Sequence, residues 1–209
     1  DLGKSKAKPK FREILSKSRA INVLSAARMF LFGARDVWFV VALPVYLHTV
    51  FGWDFWKVGG FMATWVIGYG FIQTLAPRIT GNMDGKQPAV LWAMLLALIP
   101  AAIAIGLTVG WTPQVVVIGG LMLFGVLFAI NSSLHSYLIV SYARGDGVSL
   151  DVGFYYMSNA AGRLLGTILS GWVYQAYGLQ ACLWISAGLV AAAAILSMFL
   201  PEKRPVPAT

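Results

Sequence analysis

Long apolar segments dominate this 209-residue chain and restrict it to a membrane-embedded, all-helical fold. A helix needs about 20 predominantly apolar residues to cross a bilayer, where every backbone hydrogen bond must be satisfied within the protein. Six such segments are separated by turn-prone sequences that contain glycine, proline or aspartate. The predicted spans are residues 21–50, 56–76, 89–109, 114–140, 152–174 and 180–200. Only 11% of the residues are charged, against about 25% in soluble domains, which agrees with a membrane protein.

The basic residues predict how the spans are oriented. Seven of the 16 Lys and Arg residues lie in residues 1–19, so residues 1–20 are interpreted as a basic cytoplasmic linker. With this end inside, the cytoplasmic segments hold twelve Lys and Arg residues and the outside loops hold only Lys57. Basic residues concentrate on the cytoplasmic side of membrane proteins, so both ends are predicted to be cytoplasmic, with residues 201–209 as a tail. The net charge of +8 therefore reflects topology, and we expect no nucleic-acid partner.

A weak internal repeat relates the first three predicted spans to the last three. Residues 58–59 and residues 152–153 are both Val-Gly, and the same offset pairs Thr64 with Ser158, Gly68 with Gly162, and Gln73 with Thr167. Because each unit has an odd number of spans, the second copy starts from the opposite side of the membrane. This is the inverted 3+3 arrangement found within each half of one large class of transporters.

Three arginines lie inside the predicted spans, namely Arg28, Arg35 and Arg163, and Asp36 is the one acid there. An arginine at mid-bilayer costs about 2.5–3.5 kcal/mol on insertion scales, so intramembrane arginines usually have a function. Arg28 and Arg35 are seven residues apart and lie on one helical face. The surplus of positive charge predicts an anionic substrate. Other interpretations are that Arg28 reaches the cytoplasmic interface, and that Asp36 forms a structural ion pair with Arg35 or Arg163.

Further polar residues follow helical spacing in the second, fourth and fifth spans, whereas the third and sixth contain no charge and are interpreted as lipid-facing scaffold. Packing roles are open alternatives for each polar residue. Gly33 and Pro44 mark places where the first span can bend. The candidate substrate-binding residues are Arg35, Arg163, Asn159, Arg28, Asn131, Gln73 and Tyr69, and the candidates for proton coupling are Asp36 and His135.

Motifs for enzymatic chemistry are missing from the sequence. Cys182 is the only cysteine, and the two histidines are far apart, so neither a disulfide nor a common metal motif is predicted. There is no phosphate-binding glycine loop and no nucleophile elbow. We therefore predict no catalytic site, no cofactor and no metal site.

A family resemblance follows from the order of polar and apolar spans. A basic linker followed by six such spans resembles the C-terminal half of a major facilitator superfamily transporter. Residues 81–86, GNMDGK, are similar to a shortened form of that superfamily's cytoplasmic loop signature, without its trailing basic cluster. Residues 30–46, FLFGARDVWFVVALPVY, and residues 65–70, WVIGYG, resemble the ArsJ-type organoarsenical efflux permeases.

The resemblance implies a function and a set of partners. It implies a bacterial inner-membrane exporter of 1-arseno-3-phosphoglycerate, which forms when glyceraldehyde-3-phosphate dehydrogenase uses arsenate in place of phosphate. A functional link to that dehydrogenase and a preceding N-terminal six-helix half of the same polypeptide are expected with it. The alternatives are an exporter of another organic anion or drug, and, in a different class, a channel-like or structural six-helix subunit.

Overall fold

The computed structural model describes residues 18–80, 85–143 and 148–202, and these residues form helices and short connections without a strand. The helices are α1 (Arg19–Phe39), α2 (Ala42–Thr49), α3 (Phe55–Thr80), α4 (Lys86–Val109), α5 (Pro113–Tyr142) and α6 (Val148–Ser197). Residues 1–17 of the predicted linker, loop residues 81–84 and residues 203–209 of the predicted tail lie outside the described residues. The orientation rests largely on the basic residues of those segments, so it stays a prediction.

In the described residues, five helical segments are long and apolar enough to cross a bilayer. They are Arg19–Thr49, Phe55–Ile79, Lys86–Val109, Pro113–Tyr142 and Val148–Ser197. The all-helical class is thereby confirmed for the described residues, and the five segments are compatible with a membrane-embedded protein. The count differs from the predicted six because the predicted fifth and sixth spans both lie in α6.

The α6 segment folds back on itself at Gly178. The backbone angles of Gly178, φ 78° and ψ −176°, interrupt the helix and lie in a region that side chains other than glycine rarely adopt. A straight helix of 50 residues would be about 75 Å long, more than twice the hydrocarbon thickness of a bilayer. Gly162 and Leu189, on opposite sides of Gly178, both come within 3.9 Å of the position that a Cβ on Gly33 would occupy. The chain therefore passes α1 once before Gly178 and once after it.

The first span is interrupted between α1 and α2. The α1 helix ends at Phe39, and Pro44 lies four residues after Val40. A proline ring clashes with the carbonyl four residues earlier and cannot donate a hydrogen bond, which explains the position of the break. Ser170 Oγ of α6 accepts a hydrogen bond from the Ala42 N–H at 3.1 Å, so α6 satisfies an amide at the break. The interruption at residues 40–41 agrees with the predicted bend at Pro44, whereas α1 continues unbroken through Gly33.

The first span lies at the centre of the bundle. In its most apolar stretch 61% of the residues are buried, against 11% for the stretch in Phe55–Ile79, so α3 is peripheral.

The prediction that the sixth span is only lipid-facing scaffold is wrong on one face. Ser186 Oγ donates a 2.6 Å hydrogen bond to the Ala34 carbonyl of α1, and Cys182 is fully buried. Small side chains allow this face of α6 to approach α1 closely.

The end of α6 is tied to the beginning of α4. Lys86 Nζ lies 2.8 Å from the carboxylate of Glu202, and this hydrogen bond and the lysine charge lower the pKa of Glu202. Gly85, immediately before α4, has φ 95° and lies directly against the Glu202 backbone. The contact therefore involves the last two residues of the predicted loop signature, Gly85 and Lys86.

Candidate anion-binding site

The candidate site lies where α1 crosses the first part of α6, and glycines determine how close the crossing is. A Cβ on Gly162 would overlap the carbonyl of Met29. A Cβ on Gly166 would lie 2.6 Å from the Gly33 carbonyl oxygen and 3.0 Å from Asp36 Cβ. Small residues at four-residue spacing are a common way for membrane helices to approach this closely. The short separation brings the polar side chains of α1 and α6 into contact.

Asp36 binds two arginines at this crossing. Asp36 Oδ1 accepts a 2.6 Å hydrogen bond from Arg35 Nε, and Oδ2 accepts a 3.1 Å hydrogen bond from Arg163 Nε. The Asp36 side chain is 1% exposed, the Arg35 side chain 14% and the Arg163 side chain 55%. The alternative in which Arg163 pairs with Asp36 is thus what the structure contains. Two cations share one anion, so the cluster keeps an excess positive charge.

Arg28 is buried beside this cluster without an acidic partner among the described residues. Its Nε donates to Asn159 Oδ1 at 3.3 Å, and its Nη1 donates to the carbonyl and the hydroxyl oxygen of Ser132 at 3.0 and 3.2 Å. The residue is 4% exposed, so its guanidinium group lies inside the helix packing. Neutral acceptors bind its Nε and Nη1 donors but leave its charge unbalanced.

Aromatic rings separate and support the two groups of arginines. The Phe32 ring centroid lies 4.0 Å from Arg28 Cζ and 5.0 Å from Arg35 Cζ. Phe128 of α5 lies 5.4 Å from Arg35 Cζ and packs edge-on against Phe32 at 5.1 Å. A cation over a ring face is attracted by the ring quadrupole. The guanidinium groups of Arg28 and Arg35 therefore both pack against aromatic rings contributed by α1 and α5.

Of the α3 candidates, Gln73 joins the Arg28 network directly. Gln73 Nε2 donates to Ser132 Oγ at 3.2 Å, the same hydroxyl that Arg28 binds. Tyr69 stacks on Trp65 with ring centroids 5.7 Å apart, and its ring lies 5.8 Å from that of Phe128, which also contacts Arg35. The structure therefore connects α3 to the cluster by one polar and one aromatic contact.

The structure does not bring Asn131 or His135 into hydrogen-bond contact with the arginines. Asn131 Nδ2 donates to the carbonyl of Trp92 in α4 and to that of Leu127, each at 2.9 Å, and so joins α5 to α4. His135 is 1% exposed, and its Nδ1 has no hydrogen-bond partner among the described residues. Both side chains lie inside the helix packing.

Two contributors to the site were not among the sequence-based candidates. Ser132 links Arg28 to Gln73, and Phe32 is shared by Arg28 and Arg35. Phe32 lies between Arg28 and Arg35 on one helical face, and this spacing can be read from the sequence. Ser132 follows Asn131 directly, and only the packing of α5 shows which of the two faces α1.

Two surface clefts contain none of the three arginines. The cleft between α3 and α5 has a volume of about 250 Å³ and includes Trp65, Gly68 and Tyr69 in its lining. The second cleft, of about 300 Å³, lies near Gly178 and includes Tyr174. Of the three arginines, Arg163 is the one whose side chain is largely exposed, at 55%, whereas Arg28 and Arg35 lie mostly inside the helix packing.

The described residues contain no group of three His, Cys, Asp or Glu side chains that could hold a metal ion. A comparison of the chain with protein-family models and with curated proteins finds no match. Three guanidinium groups and one carboxylate, close to aromatic rings and inside apolar helices, form a site suited to an oxyanion.

Proposed function

We propose that this chain is the C-terminal six-helix half of a major facilitator superfamily secondary transporter that exports an organic anion across a bacterial inner membrane. The fold-back of α6 at Gly178 supports six crossings, with residues 148–177 and 179–197 as the last two. We propose no catalytic role for any residue.

The observation that carries the proposal is the arginine cluster. Of the acidic residues in the described part of the chain, only Asp36 forms an ion pair with Arg28, Arg35 or Arg163. A positive charge that faces lipid is costly, so we infer that the exposed Arg163 faces a polar cavity between this half and a preceding half.

The proposed substrate is 1-arseno-3-phosphoglycerate, on the strength of the resemblance to organoarsenical permeases. Its arsenate and phosphate groups are oxyanions, and planar guanidinium groups bind such groups with two parallel hydrogen bonds. The proposal includes the functional link to glyceraldehyde-3-phosphate dehydrogenase. The alternative substrate for the same site is another organic anion or drug of similar charge.

Arsenate resistance tests this function. The full-length gene product should protect arsenate-sensitive cells that contain glyceraldehyde-3-phosphate dehydrogenase, and cells without the dehydrogenase should gain no protection. The Arg163→Ala variant should lose protection, while Lys57→Ala, which removes a cation from an exposed position outside the cluster, should keep it. Protection that does not depend on the dehydrogenase would contradict the substrate. Anion flux that needs no driving ion and shows single-channel currents would instead favour the channel alternative.

A further inference from the structure

Asp36 binds Arg35 and Arg163 in the same way, through the Nε atom of each guanidinium group. Each carboxylate oxygen accepts from one Nε, at 2.6 Å for Arg35 and 3.1 Å for Arg163. A guanidinium group has five N–H donors, and an Nε contact uses only one of them. No residue in the described ranges accepts a hydrogen bond from the terminal Nη atoms of either arginine. Two sets of terminal donors therefore remain for another acceptor.

The position of Asp36 is fixed by the helix crossing. Its side chain is buried, and a Cβ on Gly166 would lie 3.0 Å from Asp36 Cβ, so α6 leaves little free space around the carboxylate. Arg35 is also held by Phe32 and Phe128. The other members of the cluster therefore depend on a carboxylate that cannot easily move.

We propose that Asp36 is a positioning residue that orients Arg35 and Arg163 so that their terminal nitrogens bind one tetrahedral oxyanion of the phosphate, arsenate or arsonate type. This inference rests on the proposed function as an anion transporter and assigns a role to the acid that, among the described residues, pairs with the intramembrane arginines. The carboxylate occupies the Nε edges, and the substrate takes the Nη edges. The role differs from that of a proton carrier, which has to release its arginines during each cycle.

Two simpler roles for Asp36 make opposite predictions for the Asp36→Asn variant. If Asp36 only balances charge, its removal increases the positive potential and tightens anion binding. If it carries the coupling proton, the variant still binds the anion but loses the dependence of transport on a pH gradient. A positioning residue predicts weaker binding, because the amide can accept from one arginine while its NH₂ group repels the other.

Binding of 3-phosphoglycerate to the purified full-length protein, measured by calorimetry, separates these roles. We expect Asp36→Asn to weaken binding roughly ten- to a hundredfold, the range for a hydrogen bond to a charged group. Asp36→Glu keeps the charge but is one methylene longer, so it should also weaken binding, and it provides the test if the Asn variant does not fold. Asp54→Asn, at an exposed position in the α2–α3 connection, should bind like the wild type.

The residual transport of Asp36→Asn in proteoliposomes should keep its dependence on a pH gradient. Equal or tighter binding by Asp36→Asn overturns the positioning role. So does loss of the pH dependence with binding intact, which would identify a proton carrier. If the wild type binds no 3-phosphoglycerate, phosphate or arsenate, the proposed function fails, and that result is distinguishable from a failure of the role of Asp36 alone.

Discussion

Replacing Gly162 by alanine tests whether close contact between α1 and α6 builds the arginine cluster. The added Cβ would overlap the Met29 carbonyl oxygen and lie 2.9 Å from Met29 Cα, with only backbone atoms in its way. Backbone cannot rotate aside as a side chain can, so the two helices have to separate. Overpacking of this kind costs about 1–3 kcal/mol, against a gain of about 1 kcal/mol from the higher helix propensity of alanine. We expect a net loss of up to about 2 kcal/mol and weaker binding of the anion.

Gly171→Ala is the matched control on the same helix. Gly171 is nine residues from Gly162, on the opposite face, and its added Cβ would meet nothing within 4 Å. This variant should be neutral or more stable by up to about 1 kcal/mol. Unfolding of the purified protein in detergent, followed by circular dichroism, measures both changes. Similar effects of the two substitutions would refute the reasoning, because only Gly162 lies against another helix.

Three further outcomes follow from the structure. Arg163→Lys should reduce anion transport about tenfold or more while the protein still inserts, because lysine keeps the charge but not the planar fork; transport assays in proteoliposomes measure this. Ser170→Ala should lower the free energy of unfolding by about 1–3 kcal/mol, because the Ala42 amide at the helix break loses its acceptor. Because Lys86 lowers the pKa of Glu202, this pair should stabilise the protein above the ordinary carboxyl pKa of 4.5 and lose that contribution as the pH falls through the lowered value. Glu202→Gln should remove that part of the acid dependence in unfolding measured against pH.

The sequence was sufficient for the fold class and for the residues that carry charge. Apolar segments of membrane length predicted the helices, and Pro44 predicted a break because its effect on the preceding turn is local. The arginines and Asp36 were found because charge inside an apolar span is rare. Each of these signals can be read from a residue and its immediate neighbours.

The contacts between helices could not be read in the same way. Periodicity places Asn131 on a face but does not say which helix covers that face, and in the structure it is α4 rather than α1. Ser186 lies in an apolar span, yet its hydroxyl bonds the Ala34 carbonyl because α6 folds back at Gly178. Such pairings depend on how the helices are arranged in three dimensions, and a single sequence contains no direct record of that arrangement.

The position of a bound arsenic oxyanion shows whether Arg35 and Arg163 bind the substrate. Crystals of the full-length protein grown with arsenate can be measured at the arsenic absorption edge, where anomalous scattering locates arsenic without reference to the protein. We expect an arsenic peak with its oxygens within about 3 Å of the terminal nitrogens of Arg35 and Arg163. We also expect that the Nε contacts of both arginines to Asp36 persist in the bound state. An arsenic atom bound away from this cluster, or an Arg163 side chain that faces lipid, would contradict it.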